Sequence, residues 1–408
     1  MSVLTRRALN RATLERQQLL RRGGTPLEVI TRLTGMQAQD PHLPYLGLWS
    51  RTAGLTREQL TRLLHERAVV RSTLHRGTQH LVSAGDYRWL RPTLQPMLDR
   101  WQRGAFGKAT AGIDLAGLAA AVRESLAGGP LTRRQLADRL AVRWPGRDAM
   151  ALAWSAQALT RVVHPPPNGV WGHHGPTLFT PAETWLGPAG SVQARPDELV
   201  RRYLAGFGPA AVHDIQAWCG MTRLREVVER LRPELRVLRD ESGRELFDLP
   251  GAPLPGPDVP APVRFLPELD NVVIGFRDRS RMMTERERGH VVVEAPVTSD
   301  GFLCGFWRTE RGGGRALLRV GLTRPLSEKD RSEVEAEGRR LLRFAADDAD
   351  ERQVRIGEFE GWHQERRRAP AHPAHTRFSR TSRQKRAADP RRDRLRPRKL
   401  PYPGVSTR

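Results

Sequence analysis

Cysteine is nearly absent. Cys219 and Cys304 are the only two among 408 residues. Two thiols make neither a disulfide framework nor a thiolate zinc site. They read as small buried hydrophobes in a reducing compartment. No apolar run approaches the length needed to span a membrane as a helix. The first residues (MSVLTRRALNRATLERQQLLRRGG) lack an apolar core and a cleavage site, so no secretory signal is expected. A cytoplasmic protein, associated with the nucleoid, is the expectation. Several chemistries lack their signatures. There is no H-E-x-x-H, no Cys-His zinc spacing and no G-x-S-x-G. Gly312-Gly313-Gly314 lacks the lysine and hydroxyl of a phosphate loop and reads as a turn. No metal and no cofactor are expected.

Lysine is also scarce. Only Lys108, Lys329, Lys385 and Lys399 stand among 68 basic residues. The rest are arginines, and against 45 acids they give a net charge of +23. Such a balance favours a polyanionic partner, nucleic acid first. The charge is uneven. From Arg366 to Arg408 there are 15 Lys and Arg against Asp389 and Asp393 alone. That stretch has few apolar residues and several prolines, so burial does not offset its ordering entropy. A disordered basic tail over 361–408 is expected. It is either a solvated extension or a non-specific phosphate binder.

The body reads as an α+β chain, in which one local order of elements recurs three times. Thr56-Arg57-Glu58-Gln59 is a capping box ahead of a helix, and Ala68–Leu74 with Gln79–Val82 then forms a hairpin around Gly77. Thr132-Arg133-Arg134-Gln135 opens a second such block. A third runs through Val212, Ile215 and Trp218, turns at Cys219-Gly220, and ends in strands flanking Asp240–Gly243. Helix, turn, helix, hairpin is the order of a winged helix-turn-helix. Tandem motifs are therefore expected over 1–110, 111–190 and 191–250. After a proline-rich linker (251–262), strand-like runs at 263–266, 271–276, 290–297, 301–307 and 316–321 and a helix from Ser327 to Phe344 suggest a mostly antiparallel β domain, so that 251–360 forms one unit.

Two segments hold the polar residues most costly to bury. Gln37 and Gln39 follow the first block's opening helix two residues apart, so in extended chain they face the same side. Paired carboxamides make a poor core, since each needs several partners. The second segment, Val70–Val82, alternates polar and apolar residues and carries Arg71, Arg76 and His80. These three either meet DNA phosphates, order the glutamine loop, or pair within the hairpin. Arg223 and Arg225, at a helix start, suit a phosphate contact, against the default of a solvated face. Asp40 before Pro41 reads as a turn cap.

These segments carry a resemblance. G-M-Q-A-Q-D-P…P-Y-L-G-L-W-S-R with V-R-S-T-L-H-R-G-T-Q-H-L-V resembles the winged-helix DNA glycosylases of the AlkZ and YcaQ superfamily. So do F-G-P-A-A-V-H-D-I-Q-A-W-C-G-M-T-R-L-R-E-V-V-E-R-L and R-F-L-P-E-L-D-N-V-V-I. The similarity covers about residues 3 to 350. It implies tandem winged helices around double-stranded DNA and excision of alkylated bases. It further implies crosslink unhooking in some members and self-resistance in some antibiotic producers. The motif Gln37-Ala38-Gln39 matches the Gln-apolar-Gln pattern of the AlkZ-like branch, which implies that Gln37 and Gln39 are catalytic.

The chemistry is consistent with carboxamides. A purine alkylated at N7 or N3 is cationic and leaves as a neutral base, so no general acid is required. A glutamine oxygen orients water and stabilises an oxocarbenium-like sugar. No lysine lies near the motif, which argues against a Schiff-base lyase and for hydrolysis. The competing reading is a non-catalytic winged-helix regulator or lesion binder. A regulator needs a dimer to read a two-fold site, whereas three motifs in one chain are expected to act as a monomer.

Overall fold

The computed structural model describes residues 3–188 and 193–362. Of the basic tail expected over 361–408, all but Gly361 and Trp362 lies outside the described residues. Trp362 is buried beside Phe359, and Arg308 covers its ring.

Three stretches share one order of elements: helix, short strand, two helices, hairpin. The first comprises helix Pro26–Arg32, strand Met36–Gln37, helices His42–Trp49 and Arg57–His65, and strands Val69–Thr73 and Gln79–Ser83. The second runs from helix Leu115–Leu126 through strand Leu131–Thr132, helices Arg133–Arg143 and Ala149–Leu159, to strands Val162–Val163 and Leu178–Pro181. In each, the last strand is the middle of a three-stranded antiparallel sheet. The third has helices Pro196–Phe207, Val212–Cys219 and Leu224–Leu231 and strands Arg236–Asp240 and Glu245–Asp248. A single bridge from Ala210 to Phe247 replaces its first strand. Strand Val3–Leu4 adds to its outer edge in parallel.

Local chemistry explains the helix starts. Thr25 with Glu28, Thr56 with Gln59, and Thr132 with Gln135 form reciprocal caps, each satisfying two otherwise unpaired N–H groups. Gly220, at φ 80°, ends Val212–Cys219 in the left-handed conformation that glycine adopts without strain.

The C-terminal part carries a five-stranded sheet. Arg264–Phe265, Ala295–Ser299, Phe302–Gly312 and Arg315–Leu322 pair antiparallel. Helix Glu328–Ala345 then crosses over, and Glu351–Glu358 joins in parallel. That strand was not foreseen; parallel pairing demands such a crossover. Two expected strands differ. Asn271–Ile274 is a short helix, because the Asp270 carboxylate accepts from the Val272 N–H at 2.9 Å and turns the chain. The strand expected from His290 begins only at Ala295.

Buried ion pairs join distant parts of the chain. Arg16, on helix Arg6–Arg16, meets Asp248 through two contacts of 2.6 and 2.8 Å, with both side chains fully buried. Arg51 meets Asp270 in the same bidentate way at 2.7 and 2.9 Å.

Candidate active site

The Gln37-Ala38-Gln39 segment is fixed from both ends. Upstream, the Asn271 side-chain amide donates to the Gly35 carbonyl at 2.7 Å. The His75 ring bonds the Thr34 carbonyl at 3.1 Å. Within the segment, Met36 pairs with Leu81 and Gln37 with His80, and the Ala38 N–H donates to the Gln79 carbonyl at 2.8 Å. Downstream, Arg71 Nε donates to the Ala38 carbonyl at 2.8 Å and Nη2 reaches the Gln39 carbonyl at 3.4 Å.

The hairpin end holds both glutamine side chains. The Thr78 hydroxyl donates to the His75 carbonyl at 3.0 Å and lies 3.2 Å from Gln37 Nε2. With its hydrogen directed at His75, it accepts from that amide. Gln37 Oε1, 3.4 Å from the same hydroxyl, keeps acceptor capacity. Gln39 is oriented oppositely, because the Gln79 main-chain N–H donates to its Oε1 at 2.9 Å. Its Nε2 is then the end that donates. Gln37 is buried, while Gln39 is exposed. The two amides are therefore held in opposite senses, Gln37 through its Nε2 and Gln39 through its Oε1.

A second set of amides backs the hairpin. Gln157, on helix Ala149–Leu159 and 1% exposed, accepts from Thr73 at 2.6 Å and from Gln79 Nε2 at 2.8 Å. The helix of the second stretch thus braces the residue that holds Gln39.

Asp40 is engaged rather than free. Its carboxylate accepts from the His42 N–H at 2.9 Å and lies 2.8 Å from His42 Nδ1. His42 Nε2 accepts from the Gly172 N–H at 3.3 Å. The ring is therefore the Nδ1-protonated tautomer, donating to Asp40. Burial holds His42 below its ordinary pKa. Burial alone would raise Asp40, but hydrogen bonds from His42 and its nearby ring outweigh it and keep the carboxylate ionised. Trp171 meets the His42 ring edge-on at 4.3 Å, which brings the long hairpin connection of the second stretch against the glutamine segment.

The residues expected to contact phosphate divide into two groups. Arg71, Arg76 and His80 share the hairpin with the glutamines but face inward. Arg71 is buried and, pushed down to about 10 by that burial, serves as a strut. Arg76 donates to the Trp218 carbonyl of the third stretch and is likewise pushed to about 10. His80 is 2% exposed, bonds the Thr78 carbonyl at 3.0 Å, and is held well below its ordinary value by burial. The polar ends of all three turn to main-chain carbonyls, the arrangement expected of residues that order the glutamine loop. Arg223 and Arg225 are elsewhere. Both are exposed at the start of helix Leu224–Leu231, where Arg225 has only a loose 3.8 Å contact to Glu229.

Thr78, Gln79, Gln157 and the Asn271 tether were not assigned from sequence. Gln157 left a signal, as the one amide in the alanine-rich run AMALAWSAQAL. Cys219 and Cys304 are buried free thiols, both pushed up to about 12 by burial. Among the described residues no group of three or more His, Cys, Asp or Glu is placed to hold a metal ion. No helix among them is long and apolar enough to cross a membrane.

Comparison with known proteins bears out the resemblance read in the sequence. The chain is 25% identical over 327 residues to an interstrand DNA cross-link repair glycosylase of Streptomyces sahachiroi, covering 69% of this chain and 81% of that protein. The solved structure of Streptomyces sahachiroi DNA glycosylase AlkZ matches the fold with a TM-score of 0.72 at 20% identity, over 87% of this chain and 100% of that one. The family model for DNA glycosylase AlkZ-like proteins matches residues 30–344. The chain belongs to the AlkZ-like DNA glycosylases.

Proposed function

We propose that this protein hydrolyses the N-glycosidic bond of cationic N7- or N3-alkylated purines in double-stranded DNA, with Gln37 and Gln39 as its catalytic residues. One observation carries the reading: two carboxamides are held by one hairpin end in opposite senses, Gln37 through Nε2 at the Thr78 hydroxyl and Gln39 through Oε1 at the Gln79 N–H. A water hydrogen-bonded to Gln37 Oε1 is oriented for attack on C1′. The same oxygen dipole stabilises positive charge developing on the sugar. Gln39 Nε2 donates to the attacking water or to the departing base. Asp40 is tied twice to His42, which occupies its carboxylate in holding that ring. Amide oxygens are weaker bases than carboxylates, so the scheme suits a leaving group that is already cationic. Neutral lesions such as uracil are outside its reach.

The three repeated stretches act, in this reading, as winged helix-turn-helix modules around the duplex. Arg223 and Arg225 contact its backbone as sequence-independent anchors. The protein works as a cytoplasmic monomer at the nucleoid, and its basic tail adds affinity without specificity. The relative's name, an interstrand DNA cross-link repair glycosylase, supports extending the same bond cleavage to unhooking crosslinks. In an organism that makes a DNA-alkylating product, such cleavage confers self-resistance.

The test uses duplex DNA with one N7-methylguanine, incubated with wild type and with Q37A/Q39A, followed by alkaline cleavage of abasic sites. Scission by wild type that is lost in the double variant supports the assignment. Equal scission by both overturns the catalytic pair. Absence of scission on this lesion and on a crosslinked duplex overturns the activity.

A further inference from the structure

We propose that a cleft between helix Ala84–Thr93, which follows the first stretch, and the second stretch is a binding site for a phosphate-bearing ligand. The cleft has a volume of about 350 Å³. Arg88 and Arg91 from helix Ala84–Thr93, Arg123 from helix Leu115–Leu126, and Arg161 before strand Val162–Val163 converge on it. One carboxylate, Glu183, shares the lining.

Basic groups outnumber acids around it: Glu183 is the carboxylate of the lining, and Asp99 acts on Arg91 from beyond Gln95. Among the described residues, buried arginines such as Arg16 and Arg51 meet a carboxylate, whereas Arg71 and Arg281 meet neutral oxygens. Among the described residues, none of the four cleft arginines has a carboxylate oxygen within 4.0 Å. Arg91, 1% exposed, donates to Gln95 Oε1 and to the carbonyls of Ala158 (2.8 Å) and Thr160 (3.1 Å). Arg88 donates to the Leu186 carbonyl at 2.6 Å. Neutral oxygens fix these two heads in place but do not cancel their charge. Burying the Arg91 charge without a carboxylate contact is costly, while Arg88 is half-buried. Arg123 and Arg161 stay exposed at the rim. An anion in the cleft meets two rigid guanidinium groups and two adjustable ones, the arrangement that planar, forked donors make with phosphate oxygens.

Size and walls narrow the ligand. Leu126, Leu159 and Leu186 give the cleft apolar faces. The volume is at the lower end of small-molecule sites and exceeds that of a bare oxyanion. The ligand is therefore a phosphate attached to a sugar-sized group, either a nucleotide of a DNA backbone or a free mononucleotide. The inference does not rest on the glycosylase reading.

The site also adjoins the brace of the glutamine pair. Arg91 Nη2 lies 3.3 Å from the carbonyl of Gln157, whose side chain accepts from Gln79.

The test measures binding of inorganic phosphate and of deoxyguanosine monophosphate to the full chain, by calorimetry. It compares wild type, R123E/R161E, and a charge-matched control, R286E/R339E, at exposed positions outside the cleft. Wild type and control are expected to bind the mononucleotide, and R123E/R161E to bind it at least ~10-fold more weakly. Undamaged duplex then separates the sources. Duplex affinity that falls in R123E/R161E by more than in the control identifies a backbone phosphate. Duplex affinity matching the control, with mononucleotide binding lost, identifies a free ligand. If neither probe binds wild type up to ~10 mM and both variants bind duplex alike, the site does not exist. Melting curves of all three proteins verify that each is folded.

Discussion

Lowering the pH from 7 to 5 should destabilise this protein sharply, and the hairpin that holds Gln37 and Gln39 is implicated. His75 and His164 are buried, and burial pushes each from 6.5 to about 3. Each ring spends one nitrogen on a carbonyl, Thr34 for His75 and Leu178 for His164. The other nitrogen, Nδ1 of His75 and Nε2 of His164, is buried without a hydrogen-bond partner among the described residues. Protonation would place a charge there, beside Arg76 for His75 and Arg71 for His164. In the folded protein both rings therefore stay neutral, while in the unfolded chain they titrate normally. Their contribution is complete above the unfolded value and is lost as pH falls through it toward the folded value. At pH 5 the unfolded imidazole is almost fully protonated, which favours the unfolded chain by ~2 kcal/mol per histidine. These two groups give ~4 kcal/mol, a large share of a typical domain stability of ~5–15 kcal/mol, and His80 and His42, lowered by burial too, add in the same direction. Carboxylates with lowered values, such as Asp40 and Asp300, protonate at lower pH and leave this window to the histidines. Urea unfolding at pH 7, 6 and 5 measures the loss. The H164Q variant should lose ~2 kcal/mol less than wild type between pH 7 and 5, because it has one titrating group fewer. Equal losses in the two proteins, or a midpoint independent of pH, would refute the reasoning.

Three further outcomes follow from burial and exposure. D270A removes the partner of Arg51, leaving a fully buried guanidinium, and should cost ~3–5 kcal/mol in urea unfolding; a loss below ~1 kcal/mol would mean that water reaches that charge. R71M should abolish base release while leaving the affinity for undamaged duplex within about twofold, since the buried guanidinium is engaged by the Ala38 carbonyl; a matching fall in affinity would place Arg71 at the DNA interface. R225E, at an exposed position, should weaken duplex binding, lower the salt dependence by about one counterion, and leave the melting temperature unchanged; an unaltered salt slope would remove Arg225 from the interface.

What the sequence made legible depended on period and local chemistry. The capping boxes at Thr56 and Thr132 and the hairpin around Gly77 are local signals, and the structure contains each of them. Gln37 and Gln39 stood out because paired amides are costly to bury. The outcome for Arg71, Arg76 and His80 was not readable. Alternation on a hairpin says which side a residue faces, not whether another part of the chain covers that side. Here the Trp218 carbonyl takes Arg76, and the connection carrying Trp171 packs against the glutamine segment. Asn271 lay in a run that reads as a strand. Its role depends on a contact with Gly35 across 236 residues, which no local pattern encodes.

The long reach of these contacts decides how the site can fail. Gln37 and Gln39 are positioned by Thr78 and Gln79 from the hairpin, by Gln157 from the second stretch, and through Gly35 by Asn271 from the C-terminal part. Each link is a single hydrogen bond, worth ~1 kcal/mol. None is strong enough alone to fix two mobile side chains, which each carry up to ~2 kcal/mol of rotamer entropy. Together they offset that entropy before the substrate arrives, which is where, in the proposed catalytic role, a pair of carboxamides has to gain its rate. The first stretch cut out by itself would keep the motif and lose the brace from Gln157 and the tether from Asn271. The glutamine pair is thus a property of the whole folded body, although the motif that marks it spans only three residues.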